Sequence, residues 1–94
     1  MTKDRFLDYI AYEKRYSTHT LNAYRSDLDQ FFNFLSEQYQ LTDVNKVDHP
    51  IIRSWVVSLM EGGHSARTVN RKITTLKSFF RYLLKEGLVR ENPM

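Results

Sequence analysis

An all-α domain of four helices, arranged as two hairpins, is what this sequence predicts. Three observations lead there. Glycine and proline are scarce, at 3 and 2 in 94 residues, which disfavours a turn-rich β fold. Apolar side chains recur at helical spacing along two long stretches. Those stretches are also near copies of each other. "STHTLNAYRSDLDQFFNFL", Ser17–Leu35, returns 48 residues later as "SARTVNRKITTLKSFFRYL", Ser65–Leu83, with seven of 19 positions identical. The length suits one domain, residues 1–94, with a core just large enough to fold alone.

The elements follow in order. A first helix is expected over about Lys3 to Lys14, with Phe6, Tyr9, Ile10 and Glu13 near one side. Ser17 has the chemistry to cap a second helix, accepting from backbone N–H groups just inside it. That helix should run to about Gln38, burying Leu21, Tyr24, Leu28, Phe31, Phe32 and Leu35. "YQLTDVNKV" breaks the period and reads as a connection. Asp48 caps a third helix, with Pro50 tolerated in its first turn. Its buried stripe is Ile52, Trp55, Val56, Leu59 and Met60, and Gly62-Gly63 ends it. Ser65 caps a fourth helix that runs to about Glu86 and stops at Gly87. The shared Leu and Phe positions of the two copies are then core, and the shared serines are caps.

Charge is unevenly spread. Residues 1–47 carry 6 Lys/Arg and 7 Asp/Glu, a net of −1. Residues 48–94 carry 8 and 4, a net of +4. Ser65–Lys85 holds six bases (Arg67, Arg71, Lys72, Lys77, Arg81, Lys85) and no acid. Such a stretch suits either a polyanionic partner or a solvated face.

Helical wheels separate the faces. On the fourth helix Val69, Ile73, Leu76, Phe80, Leu83 and Leu84 cover one side. Opposite lie Arg67, Arg71, Thr74, Ser78, Arg81 and Lys85, a basic stripe interrupted by small hydroxyls. Arginine reaches both phosphates and guanine edges, and a helix fits a major groove. Asn70, Lys72, Thr75 and Lys77 are harder to assign. The outer face of the second helix offers His19, Asn22, Ala23, Ser26, Gln30 and Asn33, short polar groups without charge. Asp27 and Asp29 fall on its flanks as solvated acids that would repel phosphate. Only the opening turns of this helix should therefore approach a polyanion.

These residues resemble a known family. "FLDYIAYEKRYSTHTLNAYRSDLDQFFNFL" (Phe6–Leu35) and "GHSARTVNRKITTLKSFFRYLLKEGLVRENP" (Gly63–Pro93) match, in order and separation, the N-terminal core-binding, SAM-like domain of tyrosine recombinases and phage integrases. The likeness is closest to Xer-type site-specific recombinases and covers about Arg5 to Pro93. It implies a four-helix domain of two crossed hairpins that forms half of a clamp on double-stranded DNA. It further implies DNA integration or recombination by the full-length protein, whose other subunits assemble on the same DNA. The second and fourth helices are then expected in the major groove. Contacts are expected from His19, Thr20, Asn22 and Ser26 on the second helix. On the fourth they are expected from Arg67, Thr68, Arg71, Thr75, Ser78 and Arg81. Thr20 and Thr68 lie in first turns, where hydroxyls and free N–H groups can hold phosphate.

No catalytic residue is assigned within the stretch. The family's tyrosine nucleophile and its surrounding bases belong to a C-terminal domain, expected beyond Met94. None of the six tyrosines here has a visible Arg/His constellation, and Tyr24 reads as core. His19, His49 and His64 lack metal-ligand spacing, so neither metal nor cofactor is expected. With no cysteine, no long apolar run and no signal peptide, a cytoplasmic protein without a membrane span is expected. The alternative is a helical protein–protein interaction module, with Tyr12 and Tyr16 of the first helix meeting a neighbouring subunit.

Overall fold

Each long helix begins on a serine. In the computed structural model, which describes residues 2–94, Ser17 Oγ accepts from the Thr20 N–H and Ser65 Oγ from the Thr68 N–H, both at 3.2 Å. These caps open α2 (Thr18–Phe34) and α4 (Ala66–Lys85). Two shorter helices precede them, α1 (Thr2–Tyr12) and α3 (His49–Glu61). The described residues contain no strand, so the fold is all-α.

The other ends follow the same local chemistry. Asp48 Oδ1 accepts from the Ile51 N–H at 3.1 Å and starts α3, with Pro50 in the first turn. Gly63, at φ +86°, turns the chain out of α3. Gly87, at φ +72°, does the same after α4. Both conformations are left-handed and cost glycine little. α2 does not stop at Phe34. It widens into one π-helical turn, Leu35–Tyr39, closed by left-handed Gln40, so the rod ends near the expected Gln38.

Three expectations change. α1 stops at Tyr12 rather than Lys14, because Arg15 turns left-handed and the Tyr16 N–H returns to the Ile10 carbonyl at 3.1 Å. Leu7 then takes a buried place, while Glu13 lies exposed in the turn. Met60 is 63% exposed, since α3 buries Ile51, Ile52, Trp55 and Leu59, a stripe rotated toward the helix start. Leu84 is 43% exposed, and Phe79 and Tyr82 occupy the core on α4 instead.

Packing makes two hairpins joined by their long members. α1 lies on α2, α3 on α4, and α2 and α4 contact each other, with α1 also reaching α4. Trp55, Phe6, Phe31, Phe79 and Phe80 are the largest fully buried side chains. Their rings meet largely edge to face, as at Phe31–Trp55 (centroids 5.2 Å apart) and Phe6–Phe79 (5.4 Å), a favoured arrangement of aromatic quadrupoles.

The repeat has a structural counterpart. Phe31 meets Phe80 and Phe32 meets Phe79, each residue facing the neighbour of its own copy. Asp27 and Thr75, equivalent positions 48 residues apart, meet directly at 2.8 Å. This is the contact pattern of a local two-fold relation between α2 and α4. The two copies pack on each other.

The connection between hairpins is tied down as well. Val44–Lys46 form a 3₁₀ turn, and Val44 and Val47 are buried. Asn45 Nδ2 donates to the Leu88 carbonyl at 3.1 Å, and the Arg90 N–H donates to Asn45 Oδ1 at 3.1 Å. One side chain thus clamps the segment that follows α4.

Candidate nucleic-acid interface

α4 carries six bases and no acid, and the structure divides them. Arg67, Arg71, Lys77, Arg81 and Lys85 are exposed, while Lys72 is buried. Over 20 residues at 1.5 Å each, the helix presents this charge along about 30 Å. Arg67 and Arg81 make no ion pair among the described residues. Ser78 is half-buried between them. Thr74 turns its hydroxyl back to the Asn70 carbonyl at 3.0 Å.

On α2, His19, Asn22 and Ser26 are exposed. Asn22 Oδ1 accepts from Arg25 Nη1 at 3.2 Å. Thr20 and Thr68 are half-buried and hold equivalent places in the two copies. Each Oγ1 sits about 3 Å from its capping serine, at 3.0 Å from Ser17 and 3.1 Å from Ser65. In both first turns a serine and a threonine hydroxyl therefore sit side by side.

Thr75 does not belong to this surface. It is fully buried, its hydroxyl 2.8 Å from Asp27 Oδ2 and 3.2 Å from the Arg71 carbonyl. It supports the site from beneath. Arg71 has two roles. Its Nη2 donates to Asp27 Oδ1 at 2.8 Å, yet the side chain remains 51% exposed.

Asp27 itself is the larger correction. It is fully buried rather than a solvated flank. Lys72 Nζ donates to Asp27 Oδ1 at 2.8 Å and to Gln30 Oε1 at 2.6 Å. Burial alone would push the Asp27 carboxyl up. Hydrogen bonds from Lys72, Arg71 and Thr75 outweigh it and hold the group below the ordinary carboxylate range. The acid that would repel phosphate is thus neutralised inside the protein. Asp29 is engaged by Lys3. The wheel left Lys72 unassigned, and periodicity alone could not find the cluster. The usable signal was the repeat: it aligns Asp27 with a small Thr75, the pair that a local two-fold would bring face to face.

Tyr24 is half-buried, and burial pushes its phenol above its ordinary value. It packs on Phe6 and Tyr16, a supporting place.

The chain belongs to the phage integrase N-terminal SAM-like domain family, which matches residues 4–87. It is similar to the tyrosine recombinase XerC of Listeria innocua, 42% identical over 89 residues that cover 95% of this chain and 29% of that protein. XerC of Thermodesulfovibrio yellowstonii is also 42% identical, over 88 residues covering 94% of this chain and 28% of that protein. XerC of Alcanivorax borkumensis is 40% identical over 93 residues, 98% of this chain and 29% of that protein. The chain spans under a third of the length of these curated relatives. No solved structure matches it significantly. No helix among the described residues is long and apolar enough to cross a membrane.

Proposed function

We propose that this chain binds duplex DNA as the N-terminal arm of a Xer-type tyrosine recombinase. The outer face of α4 lies in the major groove, and the first turn of α2 lies against the backbone. The observation that carries this reading is the acid-free α4, whose exposed bases run its whole length while Asp27 is neutralised beneath them. Arg67 and Arg81 supply charge without a competing carboxylate, and His19, Asn22, Ser26 and Ser78 supply short polar contacts. Thr20 and Thr68 hold phosphate at the two capped first turns. Strand cleavage and rejoining belong to the whole recombinase, acting in the cytoplasm with further subunits on the same DNA. Tyr12, 79% exposed on α1, suits contact with such a subunit.

The test is fluorescence anisotropy of a labelled short duplex titrated with the chain at several salt concentrations. Binding should weaken steeply as salt rises, because counterion release drives it. Arg67→Ala should weaken binding about tenfold near 50 mM salt without changing the helical circular dichroism. A chain that binds no duplex at low salt, or an Arg67→Ala variant that binds as the parent does, would refute the reading.

A further inference from the structure

At the far end of α4 a second cluster of positive charge gathers around a cleft that the groove-facing stripe does not explain. The cleft, of about 300 Å³, lies between the C-terminal half of α4 and the turn after α1. Ser78, Arg81 and Lys85 line it from α4, Tyr9 from α1, and Lys14 and Tyr16 from the turn. Two ammonium groups converge on one ring: Lys14 Nζ is 5.9 Å and Lys85 Nζ 5.6 Å from the Tyr9 centroid. Left-handed Arg15 and the Tyr16-to-Ile10 hydrogen bond fold the turn back here. Three cations thus share a small opening, and none is in an ion pair among the described residues. The acids nearby lie on the other side of Tyr9, where Asp8, Glu13 and Glu86 border a separate groove. Glu86 is there drawn toward Arg5, at 3.8 Å.

Such an arrangement needs an anion. The ring attracts each ammonium, but it does not cancel their mutual repulsion. A phosphate would bridge Lys14, Lys85 and the Arg81 fork, with the Ser78 and Tyr16 hydroxyls as further donors.

We infer that this cleft is a second, sequence-independent phosphate site, which takes a backbone phosphodiester of the duplex that α4 enters. The inference rests on the DNA-binding reading and extends it to residues outside the stripe, Lys14 and Tyr16 above all. Geometry supports one duplex spanning both places. Arg67 and Lys85 are 18 positions apart, about 27 Å along the helix axis. A major groove is only about 12 Å wide, so a straight helix crossing it meets the backbone before its far end. The start of α4 then reads the groove, and its end, joined by the α1–α2 turn, grips the flanking strand.

The experiment compares the chain with Lys14→Gln, Lys85→Gln and the double variant. Binding is followed by anisotropy on two duplexes of unrelated sequence over a salt series. Each exposed substitution should leave thermal unfolding unchanged. The double variant should lower the slope of log affinity against log salt by about 1 to 2, since each lost phosphate contact removes about 0.9. The loss should be equal on both duplexes. A parent that binds while the double variant keeps the parent's slope overturns the second site alone. A parent that binds neither duplex overturns the DNA reading together with it. Titration with inorganic phosphate, read by amide shifts around Ser78–Lys85, separates the sources. Saturation below millimolar phosphate would mark a free-anion pocket and overturn the assignment to a backbone phosphodiester. Shifts that fail to saturate there, with the reduced slope, uphold it.

Discussion

Asp27 has no apolar atoms to hide beyond one methylene, yet it is fully buried between two helices. What makes that tolerable is complete pairing: Lys72 and Arg71 on one oxygen, Thr75 on the other. No buried side-chain nitrogen or oxygen among the described residues lacks a partner. Removing one member is therefore costly. Asp27→Ala strands the Lys72 ammonium, whose side chain is 3% exposed, and should destabilise the fold by about 3–5 kcal/mol in urea unfolding. Asp27→Ala with Lys72→Met should recover most of that loss, because a paired removal leaves no orphan charge. The pH dependence has a definite sign. The carboxyl is held below its ordinary 3.8, so its contribution is fully present above that value and fades as pH falls through the lower folded value. Parent stability should drop on acidification below about pH 4, and Asp27→Asn should flatten that drop. A wheel could not reveal this, because it describes one helix at a time. Whether a flanking acid meets water or a lysine 45 residues away depends on how two helices cross.

Helix boundaries were far more legible, because they are set by short-range chemistry. Ser17, Asp48 and Ser65 each cap where the sequence predicts, and Gly63 and Gly87 release the chain where glycine is needed. The exceptions have tertiary causes. Met60 and Leu84 fit their stripes by period alone, but the burial face is fixed by the partner helix, which selects Ile51, Phe79 and Tyr82. The π turn after α2 has no sequence signature at all, for Leu35 stays buried in either kind of helix. The matched caps allow a matched test. Ser17→Ala and Ser65→Ala each leave one first-turn N–H without its side-chain acceptor, and each should cost about 1 kcal/mol. The two losses should add in thermal unfolding, because the caps share no partner. A cost well above that for Ser65→Ala alone would mean its cap does more than satisfy one donor.

At the scale of the whole molecule, the question is how two hairpins become one body. Part of the answer is the local two-fold packing of α2 on α4, which the repeated Phe-Phe and Asp/Thr positions encode. The rest is the Asn45 clamp, which the sequence hid inside an aperiodic connection. Asn45 suits this role because its amide both donates and accepts: Nδ2 serves the Leu88 carbonyl, and Oδ1 serves the Arg90 N–H. Val89 between them is buried, so the clamp and one apolar anchor hold the same few residues. His49 adds a contact from its ring Nδ1 to the Pro93 carbonyl at 3.0 Å. Asn45→Ala removes two exposed hydrogen bonds and should cost about 1–2 kcal/mol overall. Asn45→Asp separates them, for it keeps the acceptor for Arg90 but turns a negative oxygen toward the Leu88 carbonyl. Hydrogen exchange gives the local reading. The Arg90 amide should lose about tenfold of its protection in Asn45→Ala and keep more of it in Asn45→Asp, while amides around Leu76–Phe80 change little. If Arg90 exchanges alike in all three proteins, Val89 alone anchors the segment and the clamp is incidental. If the α4 amides loosen along with Arg90, the connection and the core unfold as one unit, and the two hairpins depend on Asn45 for more than the path of the chain beyond Gly87.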